Sequence, residues 1–229
     1  MHDATPTTTT PRQRLLLRLT VVGVLAYVAT WFVLGLVAEG YDPLRQAISE
    51  LFDLGAPTWQ RMTLAGVLLV TGAALLPVGP VLDRVLPGTG RLGPALAVLA
   101  GVGTTLVAFF PCTAGCPGIG TTFTDTMHVV LAGGGYVGLV TAPIAFWWRL
   151  RETRYRDLAI AGLVLGGAAT IGFLVRNLGV DVFGGLQQRV FNTLADAWYV
   201  LAAVAVLRRT QAVSRSTPER DSSSQESTP

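Results

Sequence analysis

Apolar residues gather into six long runs separated by short polar gaps: Leu16–Val37, Met62–Leu82, Leu92–Phe110, Met127–Trp147, Leu158–Val175 and Leu186–Leu207. Each spans about 18–22 residues, the length of α-helix that crosses a hydrocarbon core about 30 Å thick. The pattern predicts an all-α membrane protein whose folded part, residues 15–208, is a bundle of six transmembrane helices. The first run is too long for the apolar region of a signal peptide, and no convincing small-x-small cleavage site follows it, so it is expected to act as its own insertion signal. Residues 1–14 are rich in Thr and Pro, and residues 209–229 in Ser, Thr, Pro, Gln and charge. Both lack apolar material to bury and are expected to be disordered tails.

The polar gaps differ in charge. Thirteen of the 17 basic residues, all arginine, lie in the N-terminal tail, the second and fourth gaps and the C-terminal tail, beside 7 of the 14 acids. Arg45, Arg61, Arg176 and Arg189 share the other side with the remaining 7. The positive-inside rule then puts both termini in the cytoplasm of a multi-pass plasma-membrane protein. Composition agrees: 51% hydrophobic, 14% charged and a mean hydropathy of +0.51, where a soluble domain carries about 25% charge. The pI of 9.2 reflects this sidedness and an attraction to anionic lipid headgroups, so membrane lipids are the expected partners and nucleic acid is not. The cytoplasmic gaps Asp83–Arg91 and Trp148–Asp157 read as basic connectors. The Gly-Thr-Gly of the first is too little for a nucleotide loop, and no cofactor is implied.

The first outer gap carries Leu44, Ala47, Ile48 and Leu51 at helical spacing, with Arg45, Gln46, Ser49, Glu50 and Asp53 on the opposite arc. Asp42 reads as an N-cap, Pro43 as the first helical residue, and Gly55 and Pro57 as the stop. A short amphipathic helix at the outer surface, between the first and second spans, is expected. It either seals the loop against the bilayer or turns its polar arc, Ser49 and Glu50 included, toward a cavity.

The second outer gap holds Cys112 and Cys116, the two cysteines of the chain. An even pair in an oxidising compartment reads as a disulfide pinning a tight turn. A redox-active pair is the alternative, although that chemistry normally uses two intervening residues near a helix start. Zinc is disfavoured because His128 as third ligand leaves the set one short, so no metal is expected. His128 stands three residues after Asp125, a spacing that puts carboxylate and imidazole on one helix face at the mouth of the fourth span.

The sixth run is the most polar. Arg189, Asn192, Thr193 and Asp196 fall within an arc of about 100°, with Tyr199 at its border. A carboxylate near mid-membrane costs roughly 2.5–3.5 kcal/mol on insertion scales, so Asp196 must face the bundle interior, with Arg189 through Asn192 or water, or Arg176, as candidate partners. The cluster is either an interhelical clasp or the floor of an outward-facing pocket. The fifth run carries Gly162, Gly166, Gly167 and Gly172, small residues that permit close helix contact, and the fourth carries Gly133–Gly135 at mid-membrane.

The outer-loop DPLxxxISELxxxGAP (Asp42–Pro57), the Pro111–Cys112 turn, the DxxH pair Asp125/His128 and the GLxxR of Gly185, Leu186 and Arg189 together resemble the domain-of-unknown-function 998 family, across roughly residues 15–208. The resemblance implies a six-helix prokaryotic membrane protein and brings no catalytic assignment. Three functions are open to it. The first is a binder of a lipid or small polar ligand in a pocket formed by Ser49, Glu50, Asp125, His128, Arg176, Arg189, Asn192 and Asp196, the arginines meeting an anionic headgroup. The second is a lipid-directed enzyme with Asp125/His128 as acid–base pair and Ser49 as nucleophile. The third is a small proton-coupled transporter using His128 and Asp196 as a relay.

Overall fold

The computed structural model describes residues 9–179 and 183–216. The expected disorder of residues 1–8 and 217–229 lies outside them, as does Asp181. The described chain is helical: α1 Pro11–Val37, a 3-10 turn Ile48–Phe52, α2 Thr58–Leu75, α3 Val78–Val85, α4 Leu92–Val107, α5 Phe123–Leu150, α6 Arg156–Asn177 and α7 Gly184–Ser216. Five stretches are long and apolar enough to cross a membrane: α1, α2 with α3 taken together, α5, α6 and α7 up to Arg209. The chain is a multi-pass helical membrane protein. α4 is apolar but has 16 residues, about 24 Å of helix, shorter than the run that announced it. Its end tightens, with Phe109 and Phe110 donating to Leu106 and Val107, because the residue before Pro111 is pushed out of the helical region.

Two boundaries move outward. α1 begins at Pro11, ahead of its apolar run. Thr10 accepts from the Gln13 amide and Gln13 reaches back to the Thr10 amide, a capping box. α7 continues past Leu207 to Ser216. The second run breaks into α2 and α3 at Leu76–Pro77, where proline has no N–H to continue the ladder.

Small residues let the helices close on one another. A Cβ on Gly103 of α4 would stand 2.6 Å from the Gly135 amide nitrogen of α5, and one on Gly162 of α6 would stand 2.6 Å from the Pro143 carbonyl. Thr71 of α2 donates to the Gly23 carbonyl of α1 at 2.8 Å, and Thr20 of α1 donates to Ala74 at 2.9 Å. The main core gathers Phe146, Phe191, Trp198 and Tyr199, and a second cluster (Tyr27, Trp31, Leu34, Ile48, Leu51, Phe52, Leu64) lies under the loops at one end. Large apolar side chains such as Val22, Phe32, Leu36, Val70 and Ile171 point outward, as suits a surface solvated by lipid.

The ends of the bundle carry different loops. The loop end holds segments 38–57 and 108–122, and the arginine end holds 86–91 and 151–155. At the arginine end Arg149, with its side chain only 4% exposed, binds Asp83 at 2.5 Å and donates to the carbonyls of Asp83, Leu86, Pro87 and Gly90. The 83–91 connector, expected to be plain, is folded around this guanidinium.

Candidate functional site

The segment between α1 and α2 departs from the expected surface helix. Residues 43–46 form turns, and the helical part is the five-residue 3-10 turn Ile48–Phe52. Asp42 caps the turn through the Leu44 amide, at 2.9 Å. Ile48, Leu51 and Phe52 are buried in the bundle mouth rather than laid on a bilayer surface. The reason lies on α7. Its first amides, which a helix leaves unpaired, are satisfied by this loop: Gly185 donates to the Arg45 carbonyl at 3.0 Å and Leu186 to Leu44 at 2.9 Å. Any side chain on Gly185 would strike the carbonyls of Pro43 and Gln46. Arg189 completes the attachment. It donates to Pro43, Gln46 and Gly185 at 2.7, 3.0 and 3.0 Å and to the Tyr41 hydroxyl, with Trp31 and Tyr41 flanking its guanidinium at 5.5 Å. Burial pushes the Tyr41 phenol above its ordinary pKa, opposed by Arg189.

Among the described residues Arg189 therefore makes no direct bond to Asn192 or Asp196. Arg176 is likewise occupied, donating to the Gly184 carbonyl across the α6–α7 turn. Asp196, 4% exposed, takes its hydrogen bond from Asn192 Nδ2 at 2.7 Å and makes no ion pair among the described residues. Thr193, expected on the same arc, is exposed. The inward ladder is instead Gln188, Asn192 and Asp196, at i, i+4 and i+8 on one face. Gln188 accepts from the Ile48 amide at 2.8 Å and donates to the Tyr136 hydroxyl at 2.9 Å, so it ties the 3-10 turn to α5.

This ladder borders a cavity of about 100 Å³, room for several waters or a small polar group. Ile48, Ser49 and Phe52 close its loop end; Tyr27, Thr71, Thr104, His128, Tyr136, Asn192 and Asp196 bring polar groups to its walls, and Val107, Ala132 and Leu139 add apolar ones. Of the expected site residues, Ser49, His128, Asn192 and Asp196 meet here. Glu50 does not: it accepts from the Ala47 amide and Gln46 side chain and lines a separate surface depression. Asp125 does not either. Its carboxylate is taken by the Thr113 amide at 2.7 Å and by the Thr113 and Thr122 hydroxyls, which pins the 111–122 loop. His128 bonds the Phe110 carbonyl through Nδ1 at 2.7 Å, so the expected Asp125–His128 pair is not formed. Cys112 and Cys116 lie at disulfide distance, with Cα atoms 5.0 Å apart.

The cavity thus joins the 48–52 turn, the His128 helix start and the α7 face. These are also the elements whose motifs carry the family likeness, and the model of the family described as a protein of unknown function (DUF998) matches residues 21–205. The chain belongs to DUF998. The match covers all the elements that build the DUF998 cavity here, from α1 to the polar face of α7. No curated protein and no solved structure matches the chain. The polar cavity residues that the sequence did not single out, Tyr27, Thr71, Thr104, Tyr136 and Gln188, sit inside apolar runs. Gln188 alone carried a readable signal, its four-residue step to Asn192.

Proposed function

We propose that this DUF998 protein binds a small molecule, or the polar end of a lipid, that is neutral or cationic and rich in hydrogen-bonding groups. The observation that supports this is the cavity's chemistry: a carboxylate, an imidazole, an amide and hydroxyls line it, and no arginine does. An anionic headgroup would find no cation there, since Arg176 and Arg189 are committed to backbone carbonyls. By the distribution of arginines the loop end faces outward and both termini the cytoplasm, with α4 as the sixth span, so the cavity lies under the outer loop. Ligand binding is preferred to an Asp125/His128 acid–base pair because each is bonded elsewhere, Asp125 to Thr113 and Thr122 and His128 to Phe110. A relay past Asp196 would have to pass Trp198, Tyr199, Ala202, Ala203 and Val206, all buried and none carrying a carboxylate or imidazole.

The test is mass spectrometry of what co-purifies with the protein in mild detergent. A molecule carried by the wild type and by Glu152→Leu, whose side chain is 85% exposed at the arginine end, is expected to be lost from Asp196→Leu and from the cavity-filling Ala132→Leu. Equal retention by both cavity variants, or none in the wild type, refutes the reading.

A further inference from the structure

We propose that Cys112, Cys116 and His128, when the cysteines are reduced, form a three-coordinate site for a soft monovalent cation, Cu⁺. One ligand atom from each residue lies within 4.8 Å of the others. Two thiolates and one imidazole make a donor set suited to Cu⁺, and three ligands satisfy it where structural zinc takes four. The imidazole is already set for the task. A carbonyl only accepts, so the bond to Phe110 fixes the proton on Nδ1 and leaves Nε2 with its lone pair, the arrangement usual for a metal-bound histidine. Phe52 packs on the ring at 5.6 Å and holds its plane.

Cys112 and Cys116 are joined in the structure, but the turn that carries them is also held by hydrogen bonds that reduction leaves in place. Thr113 donates its amide to Asp125 at 2.7 Å, Gly115 to Asp53 at 2.8 Å and Cys116 to Thr113 at 2.9 Å, while the Cys112 carbonyl accepts from Leu54 at 2.8 Å. Two carboxylates from different elements thus hold the Cys112–Cys116 turn against His128. Cys112 and His128 are buried and Cys116 is half-buried, so the cation enters from the loop surface past Cys116. The binding step is Cu⁺ + 2 Cys–SH + His → [Cu(S–Cys)₂(His)]⁻ + 2 H⁺, with no change of oxidation state at copper or sulfur. The oxidised pair, joined sulfur to sulfur, offers no thiolate and does not bind. The site shares His128 with the cavity wall but does not rest on the cavity reading, since neither cysteine lines the cavity and copper uptake is read without any cavity ligand.

The test uses the full chain in detergent, reduced by a phosphine under anaerobic conditions and titrated with Cu⁺ held by bathocuproine disulfonate. The expected result is equimolar transfer of copper to the wild type, with two sulfurs and one nitrogen in the X-ray absorption shell. His128→Ala should weaken binding by at least about tenfold, Cys112→Ser and Cys116→Ser should abolish it, and the unreduced protein should take up none. Equal affinity in His128→Ala overturns the site. So does failure of the reduced wild type to bind while it keeps its melting temperature, or a preference for Zn²⁺ over Cu⁺ in competition.

Discussion

Replacing Arg189 with methionine keeps the length of the side chain and removes four donated hydrogen bonds, to Pro43, Gln46, Gly185 and the Tyr41 hydroxyl. Hydrogen bonds from a charged group contribute about 1.5–3 kcal/mol each, a gross loss of roughly 6–12 kcal/mol. The net is smaller. Pro43 and Gln46 are only partly buried, so their carbonyls recover water once the loop lifts, and bonds sharing one guanidinium do not add. A loss of about 3–4 kcal/mol is expected, in the range for breaking a buried charged network. Arg189→Lys should recover part of it, since an ammonium is a point donor that cannot span the same carbonyls. The control is Arg45→Met. Its side chain is 76% exposed beside Asp42, so the change should stay within about 0.5 kcal/mol. Denaturant unfolding in detergent reads the stability, and hydrogen exchange reads the loop. Residues 41–52 should lose protection in Arg189→Met before the bundle does. Stability within about 0.5 kcal/mol of wild type, with residues 41–52 still protected, would refute the claim that one guanidinium holds the roof of the cavity.

Two further outcomes follow from packing at the helix contacts and at the arginine end. Gly103→Ala should destabilise by about 1–3 kcal/mol through overpacking against Gly135, whereas Gly133→Ala, with open space around it, should be neutral or stabilise by up to about 1 kcal/mol; melting temperatures in detergent decide, and equal shifts would contradict the α4–α5 contact. Arg149→Met should cost more than Asp83→Asn by about 1–2 kcal/mol, because it leaves four carbonyls without their donor while Asp83, 37% exposed, can turn to water; a denaturant series that ranks them the other way removes the central role given to Arg149.

Much of the fold was legible because lipid is a severe solvent. Every backbone group in hydrocarbon must be bonded within its own segment, so apolar runs of spanning length read directly as helices, and the α1, α5, α6 and α7 runs each became one. The break at Pro77 carried its signal in the residue itself. The 42–55 segment misled because helical spacing of Leu44, Ala47, Ile48 and Leu51 does not reveal that α7 will use the same backbone. Its carbonyls are claimed by Gly185, Leu186 and Arg189, and a regular helix there would have to give them up.

Sequence by itself determined the class of molecule, the helical spans and the presence of a polar cluster on the last helix, since length, hydropathy and i, i+4 spacing are local properties. Partnership was decided only in three dimensions. Asp125 and His128, three residues apart, turn to Thr113 and Phe110 on another segment; Arg189 leaves Asp196 for a loop 143 residues away; and Ser49, His128 and Asp196, from three separate elements, come to border one cavity. A side chain's polarity is written in the residue, but the partner that satisfies it depends on which backbone groups other helix ends and turns leave unpaired nearby, and packing alone brings those within reach.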